Sequence, residues 1–194
     1  QNEFSNFLDA YNKNELENGT ALGLFTLSSI PVDKAEPSES LKATTVWSAG
    51  LQEKIKVLLS GKQIDKFIRG EAIEEEHDIR ATRGAYFINT RFEIDPTGSR
   101  EWITVAEINN DSAKVSNLAR FIKTTDNPVI LVNDDIRKGT ENLKKLVSGA
   151  DGFQKTHSEN ASVRHYMNSL FNIMRGGIIA DNYTIFADDF RKHF

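Results

Sequence analysis

The sequence contains no cysteine and no long apolar run, and its charged residues do not gather into a basic stripe. Without cysteine the chain forms neither disulfides nor thiolate metal sites, although proteins of oxidising and reducing compartments alike can lack this residue. No apolar stretch approaches the roughly 20 residues that a membrane-spanning helix needs. The formal net charge is −4, so neither a membrane nor nucleic acid is an expected partner.

The common catalytic motifs are missing as well. The chain has no glycine-rich phosphate loop and no HExxH pair of metal-binding histidines. His157 and His165 are eight residues apart, which on a helix separates them by two turns, roughly 12 Å. That spacing is too long for one shared metal ion. We therefore predict no metal and no organic cofactor, and we assign no catalytic residue.

The composition is that of a folded protein. Of the 194 residues, 39% are hydrophobic and 27% are charged, which allows one large domain or one domain with an extension. The chain starts at Gln1 and stops at Phe194 inside an expected helix. We therefore expect a fragment or a processed chain, and the missing signal peptide leaves its cellular location open.

The clearest structural signal is a strand–turn–strand pattern over residues 85–109. Tyr86 and Ile88 belong to one run in which side chains alternate between two faces, and Trp102 belongs to a second such run. Proline and glycine in residues 95–99 favour a turn between the two runs. Both faces of each run are partly apolar, so we predict a β-hairpin inside a sheet that is covered on both sides.

Other segments before residue 110 give weaker signals. Residues 21–29 and 43–51 are predicted strands, with Trp47 in the core rather than serving as a sugar-stacking platform. Residues 31–40 form a polar stretch that suits an exposed functional loop. Helical spacing of apolar residues predicts three short segments, of which the second is either helical or a turn: residues 3–13, 52–61 and 63–69.

The chain changes from β-rich to α-rich near Asp111, which is a typical helix N-cap. The helix that follows should end before Pro128, and residues 129–132 should form a short strand or a buried link. Residues 134–148 are predicted as a helix that turns Ile136, Leu143, Leu146 and Val147 inward. The strongest helix spans residues 158–175, with a wide apolar stripe and a glycine stop at Gly176 and Gly177.

An acidic cluster with one histidine occupies residues 71–78. A divalent metal is one interpretation, with ligands from Glu74, Glu75, Glu76 and Asp78. Consecutive side chains of an extended segment point apart, however, and metal ligands must converge on one point. We therefore favour a solvated acidic loop.

The polar side of the last strong helix and the segment after it hold the candidate substrate-binding residues. Arginine, asparagine, aspartate and tyrosine side chains hydrogen-bond sugar hydroxyls, and neighbouring glycines allow close approach of a ligand to the backbone. The alternative is a helix-cap network followed by a tight turn. The candidate residues are Arg164, His165, Asn168, Arg175, Asp181, Asn182 and Tyr183.

Over residues 63–194 the chain resembles cellobiose-phosphorylase-like carbohydrate phosphorylases and related (α/α)-barrel glycoside hydrolases. The likeness lies in the order of elements rather than in a signature motif: a strand, a turn, a second strand, a helix, a linker helix and a first barrel helix. The segments that carry it are GEAI at 70–73, FINTRFEI at 87–94, DPTG at 95–98, WITVAE at 102–107, and the helices that begin at Asp111, Asp134 and Ser162.

This resemblance implies an α+β fold with three parts. Residues 1–110 would be a β-sandwich portion, residues 111–150 a helical linker, and residues 151–194 the first helices of a helical barrel. No residue here matches the family's catalytic acid, so the chain alone would be non-catalytic and would support the barrel and its oligosaccharide substrate. For a phosphorylase, the family implies inorganic phosphate as co-substrate, a homodimer and a cytoplasmic location.

Two other functions remain open from the residues themselves. A stand-alone glycan-binding or adhesion module would need exposed aromatic side chains, and the candidates are Trp47, Tyr86, Trp102 and Tyr183. A small α+β enzyme would instead use the acidic segment as its metal site.

Overall fold

The computed structural model describes residues 9–27, 42–176, 187, 188 and 191. Its strands are β1 (Asn12–Leu16), β2 (Gly23–Leu27), β3 (Ala43–Ala49), β4 (Lys56–Ser60), β5 (Asp78–Arg80), β6 (Gly84–Asn89) and β7 (Ile103–Asn110). Its helices are α1 (Ile64–Ile68), α2 (Ser112–Thr124), α3 (Pro128–Gly149) and α4 (Glu159–Met174). The predicted α+β class is therefore confirmed.

The strands form two antiparallel sheets. The first has five strands in the order β5-β1-β2-β3-β7, and the second pairs β4 with β6. The sheets share a hydrophobic core, in which Leu16 of β1 packs with Val57 and Leu59 of β4. Phe25 and Tyr86 pack against this cluster from β2 and β6.

The predicted strands at residues 21–29 and 43–51 are confirmed as β2 and β3. Trp47 is only 4% exposed, as expected for a core residue, and its ring meets that of Phe121 edge-on at 6.1 Å between centroids. Helix α2 begins where the sequence predicts, because the Asp111 side chain accepts a hydrogen bond from the Lys114 backbone N–H at 2.9 Å.

The prediction of a hairpin over residues 85–109 is wrong. Both strands exist, and the turn between them is closed by a 2.8 Å bond from the Gly98 N–H to the Asp95 carbonyl. However, β6 pairs with β4 and β7 pairs with β3, so the two strands belong to different sheets. The prediction of a sheet covered on both sides also fails for β7, where Ile108 is 75% exposed.

This error has its cause in β4, which was expected to be helical or a turn. Ile55, Leu58 and Leu59 have helical spacing, but Val57, Leu58 and Leu59 form a fully buried strand. A short continuous apolar run does not distinguish a buried strand from a buried helix. Once β4 is a strand, it supplies the partner of β6.

Two further elements differ from expectation. The helix predicted over residues 3–13 overlaps β1, because Asn12 and Lys13 belong to that strand. Residues 3–8 of the predicted helix lie outside the described residues. The predicted strand or link at residues 129–132 is the first turn of α3, which starts at Pro128. Proline suits that position because its missing N–H would have no helical partner there.

The face of α3 that was expected to point inward is largely exposed. Of the four residues predicted inside, Val147 is buried, whereas Ile136, Leu143 and Leu146 are exposed. The short helix predicted at residues 63–69 exists as α1, but its Phe67 and Ile68 are also exposed. The periodicity identified these helices correctly and did not show what covers them.

The chain divides into two compact units, Gln1–Ile130 and Leu131–Phe194. The finer division at residues 110 and 150 stays a prediction. In the second unit, the backbone after α3 turns at Asp151 (φ 54°), and Gly152 packs against Val147 and Ser169. A Cβ at Gly152 would lie 2.5 Å from Val147 Cγ1 and 2.9 Å from the Val147 carbonyl oxygen, so this corner requires glycine.

Gly152→Ala should lower the free energy of unfolding of the second unit by about 1–3 kcal/mol, because the added methyl overpacks a closed site. Gly139→Ala is the matched control, since its Cβ would enter open space on α3 and alanine favours a helix by about 1 kcal/mol. Urea unfolding followed by circular dichroism measures both. Equal stability of Gly152→Ala and the wild type would contradict this packing.

Candidate functional site

The candidate sugar-binding residues that the structure describes lie along α4 and at its end. Arg164 and Asn168 are exposed. The His165 ring, in contrast, makes a 2.8 Å hydrogen bond through Nε2 to the Asp151 carbonyl oxygen, and so holds the α3–α4 corner. The Arg175 guanidinium lies 5.2 Å above the Phe171 ring.

The structure therefore does not bring these four residues together in one cavity. The helix-cap alternative has direct geometric support, because Ser158 caps the start of α4 and Gly176 leaves its end with φ +75°. The remaining candidates, Asp181, Asn182 and Tyr183, lie outside the described residues.

The acidic segment at residues 71–78 has a structural role. Glu76 is 6% exposed, and its carboxylate accepts hydrogen bonds from the Leu59 N–H (2.7 Å), the Ser60 hydroxyl (3.0 Å) and the Gln63 amide (2.9 Å). The Glu76 N–H donates to the Val57 carbonyl at 3.0 Å. The solvated-loop interpretation is therefore wrong for Glu76.

Neighbouring side chains extend this contact along β4. Glu75 Oε1 accepts from the Val57 N–H at 3.2 Å, and Gln63 bonds both the N–H and the carbonyl of Glu74. These carboxylates point at backbone donors and not at one common centre. In the part of the chain that the structure describes, no group of three or more potential ligands could hold a metal ion, so the metal interpretation gains no support.

A groove of about 650 Å³ crosses the five-stranded sheet near β6. Its polar lining comes mainly from asparagine and threonine, with Phe25 and Tyr86 as aromatic walls. Glycine at position 84 leaves room for the Phe25 ring, since a Cβ there would lie 2.5 Å from Phe25 Cδ1. The polar side chains of the lining include Asn12, Asn14, Thr26, Lys42, Thr44 and Asn109.

Tyr86 borders this groove and also a second, smaller cavity. Its hydroxyl donates a 2.6 Å hydrogen bond to the Ala21 carbonyl. Burial raises the pKa of Tyr86 above its usual range, and a hydrogen bond with Ser48 opposes that rise. Tyr86 is therefore a structural tyrosine rather than an exposed glycan platform.

The second cavity, which we name the aromatic pocket, has a volume of about 230 Å³ and lies within the first unit. Trp102 is 50% exposed beside it, and Phe87 is also exposed. The pocket is lined by Leu51, Tyr86, Phe87, Ile88, Phe92, Trp102 and Thr104. Trp102 is half exposed, contrary to the predicted hairpin inside a sheet covered on both sides, because β6 and β7 belong to different sheets.

Two residues that are close in sequence to lining residues of the aromatic pocket form an ion pair. Arg100, two residues before Trp102, places Nε 3.3 Å from Oε1 of Glu53, which follows Leu51 by two residues. The other carboxylate oxygen of Glu53, Oε2, is buried and has no hydrogen-bond partner among the described residues. A buried acceptor without a donor is uncommon. The backbone at Gly50 has φ +106° and passes close to Trp102. A Cβ at Gly50 would lie 3.1 Å from the Trp102 Cα.

Sequence reasoning found Trp102 and Tyr86 as candidate aromatic residues and missed the rest of this pocket. Leu51 and Phe92 are distant from each other in the sequence and follow no motif. No helix in the described part of the chain is long and apolar enough to cross a bilayer.

Glu76→Ala should lower the free energy of unfolding by about 1–3 kcal/mol or more, because a buried donor left without its partner is costly. Glu74→Ala is the matched control: Glu74 is an exposed neighbour whose backbone, not its carboxylate, bonds Gln63, and we expect a change within about 0.5 kcal/mol. Chemical unfolding measures both variants. Equal effects would show that Glu76 does not hold β4.

The variant Tyr86→Phe tests whether burial of the Tyr86 phenol makes the stability of the fold depend on pH. The folded-state pKa lies above the value of about 10 in an unfolded chain, so this contribution to stability is complete below pH ~10 and is lost as the pH rises through the folded-state pKa. Removing the hydroxyl should cost about 0.5–1.5 kcal/mol at pH 7, and the variant should lose less stability than the wild type above pH 10.

Urea midpoints between pH 7 and pH 11 measure this difference. Phe67→Ala, which removes an exposed aromatic ring that has no ionisable group, is the control and should keep the wild-type pH dependence. If Tyr86→Phe destabilises equally at every pH, ionisation of the phenol is not coupled to folding.

Comparison of the sequence with known proteins does not assign the chain to a family. No family model matches the chain, and no curated protein matches it significantly. Any function assigned to the molecule therefore depends on its sequence pattern and on the sites described above.

Proposed function

We propose that the chain is a non-catalytic portion of a carbohydrate-active enzyme, a glycoside phosphorylase or hydrolase, in which it supports the active-site barrel and its oligosaccharide substrate. The observation that carries this proposal is the apolar stripe on α4. Val163, Met167 and Phe171 are all more than half exposed, and Met174 is 78% exposed. Helices of globular proteins normally bury such a stripe, and exposed apolar patches mark contact surfaces.

Further helices of a parent barrel would cover this stripe. In an (α/α) barrel each helix packs against neighbours on both sides, so a first helix without those neighbours would expose the face that α4 exposes. The half-buried Leu170 lies within the same stripe. The exposed apolar residues of α3 in the second unit, Leu131, Ile136, Leu143 and Leu146, agree with this role.

The β-rich part of the chain is compatible with the proposed sandwich portion at residues 1–110. Two antiparallel sheets share one core through Leu16, Val57 and Leu59, and the proposed sandwich would likewise pack two antiparallel sheets face to face. In this proposal α3 contributes to the linker at residues 111–150, and α4 is the first barrel helix in residues 151–194.

Contact with the oligosaccharide would fall to the polar side of α4. Arg164 and Asn168 are exposed there and can donate hydrogen bonds to sugar hydroxyls. His165 is less suited, because its Nε2 already bonds Asp151. If the parent is a phosphorylase, inorganic phosphate is its co-substrate, and a homodimer is the expected assembly.

A stand-alone glycan-binding module is the second candidate, and the half-exposed Trp102 favours it. Trp47 is buried, which removes one of the expected platforms. Trp102 and Phe87 border an open cavity, so the module would bind at this single aromatic site rather than along a row of exposed rings.

A comparison of the isolated chain with the native protein from its source tests the first proposal. Each is incubated with cellotetraose, maltotetraose or laminaritetraose, with and without inorganic phosphate, and free sugars and sugar phosphates are quantified. We expect no product from the isolated chain and turnover by the native protein, whose intact mass should exceed that of the chain. Turnover by the isolated chain, or a native protein of the same mass and without activity, would contradict the proposal.

A further inference from the structure

We propose that Asn18 is a modification site at which the folded chain deamidates without an enzyme, and that the isoaspartate product loosens the hairpin of β1 and β2. Asn18 and Gly19 form the only Asn-Gly dipeptide of the sequence and lie in the turn between these two strands. The inference is independent of the carbohydrate function proposed above. It follows from the exposure of the turn and from the unbonded peptide group between the two residues.

The reaction needs only these two residues and water. The backbone nitrogen of Gly19 loses its proton to solvent base and attacks Asn18 Cγ. The Cγ–Nδ2 bond then breaks, and ammonia leaves with a proton taken from water. Water next opens the five-membered succinimide ring. Opening at the side-chain carbonyl gives aspartate, whereas opening at the main-chain carbonyl gives isoaspartate, in which the main chain runs through Cβ and Cγ of residue 18.

The geometry of the turn leaves this attack unobstructed. The Thr20 N–H donates to the Glu17 carbonyl at 3.2 Å, so Asn18 and Gly19 are the central residues of a β-turn. Gly19 has φ +72° and occupies the position that requires a positive φ in a type II turn. Both central residues are exposed, and a Cβ at Gly19 would meet nothing within 4 Å. The peptide group between them has no hydrogen-bond partner among the residues that the structure describes.

The one Asp-Gly dipeptide of the chain, at Asp151 and Gly152, shows the opposite situation. This pair can form the same succinimide by loss of water, but its peptide group is held at both ends. The Gly152 N–H donates to the Val147 carbonyl at 2.8 Å, and the Asp151 carbonyl oxygen bonds His165 Nε2 at 2.8 Å. Gly152 is also buried. Reaction at Asp151 therefore requires the corner to open first, whereas the exposed turn at Asn18 can reach the reactive geometry in the folded state.

The isoaspartate product lengthens the main chain of the turn by one carbon atom. The Glu17 carbonyl accepts hydrogen bonds from the N–H and the hydroxyl of Thr20, and the Thr20 hydroxyl oxygen accepts from the Leu22 N–H at 3.1 Å. Leu22 is fully buried, so a longer turn disturbs the entry of β2 into the core. The new carboxylate also adjoins Glu17, which pairs with Lys123 of α2 at 2.7 Å. We therefore expect the isoaspartate form to be less stable than one with aspartate in a normal main chain.

Incubation of the chain at neutral pH and body temperature, both folded and in guanidinium chloride, tests the inference. Peptide mass spectrometry follows the replacement of NH2 by OH at residue 18, and labelling with an isoaspartate-specific methyltransferase locates the isoaspartate. We expect folding to slow the reaction at Asn18 by no more than about threefold and that at Asp151 by about tenfold or more, because only the second needs local opening. Equal or greater slowing at Asn18 than at Asp151, or deamidation at another asparagine in its place, overturns the inference.

Two variants separate the reaction from its effect on the hairpin. Asn18→Gln keeps an amide, but the Gly19 nitrogen would have to close a six-membered ring, so labelling at this residue should fall to background. Labelling that persists there would overturn the mechanism. Asn18→Asp carries the charge of the product in a normal main chain and, when freshly prepared, should keep the wild-type urea midpoint. The isoaspartate fraction of aged wild type, isolated by chromatography, should unfold at lower urea. An equal midpoint of this fraction and Asn18→Asp would overturn the proposed loosening of the hairpin.

Discussion

The arrangement of the two sheets depends on which groups hydrogen-bond the backbone of β4 on the edge that does not face β6. One edge pairs with β6, so the opposite edge would leave the N–H groups of Val57 and Leu59 without partners in a buried strand. Glu75 and Glu76 supply those partners with their carboxylates, and the Glu76 N–H completes the contact to the Val57 carbonyl. Buried backbone donors must be paired, so side chains here replace a neighbouring strand and β4 stays fixed without one.

The position of β4 in turn sets the two cavities. Because β6 pairs with β4, Tyr86 is directed toward the shared core and bonds the Ala21 carbonyl before β2. Tyr86 lines both the groove and the aromatic pocket. Because β6 and β7 belong to different sheets, β6 does not pair with the strand that follows Trp102, whose ring is half exposed.

The sequence predicts what is local and misses what depends on partners. The Asp111 cap, the Gly176 stop and the burial of Trp47 follow from short-range chemistry or alternation, and each agrees with the structure. The pairing of β6 could not be predicted in this way, because it depends on β4, whose apolar run is compatible with a helix or a strand. The pocket was missed for the same reason: residues 51, 92 and 102 meet only through the sheet arrangement, and nothing in the sequence connects them.

The exposed surfaces of the two units have different chemical characters, and this difference bears on function. The stripe of α4 carries Val163, Met167, Phe171 and Met174, and its two methionines are flexible enough to fit against a neighbouring helix. Around the aromatic pocket, the exposed side chains are the rigid rings of Trp102 and Phe87. The stripe on α4 therefore suits packing against another helix, whereas the exposed surface at the aromatic pocket consists of rigid rings.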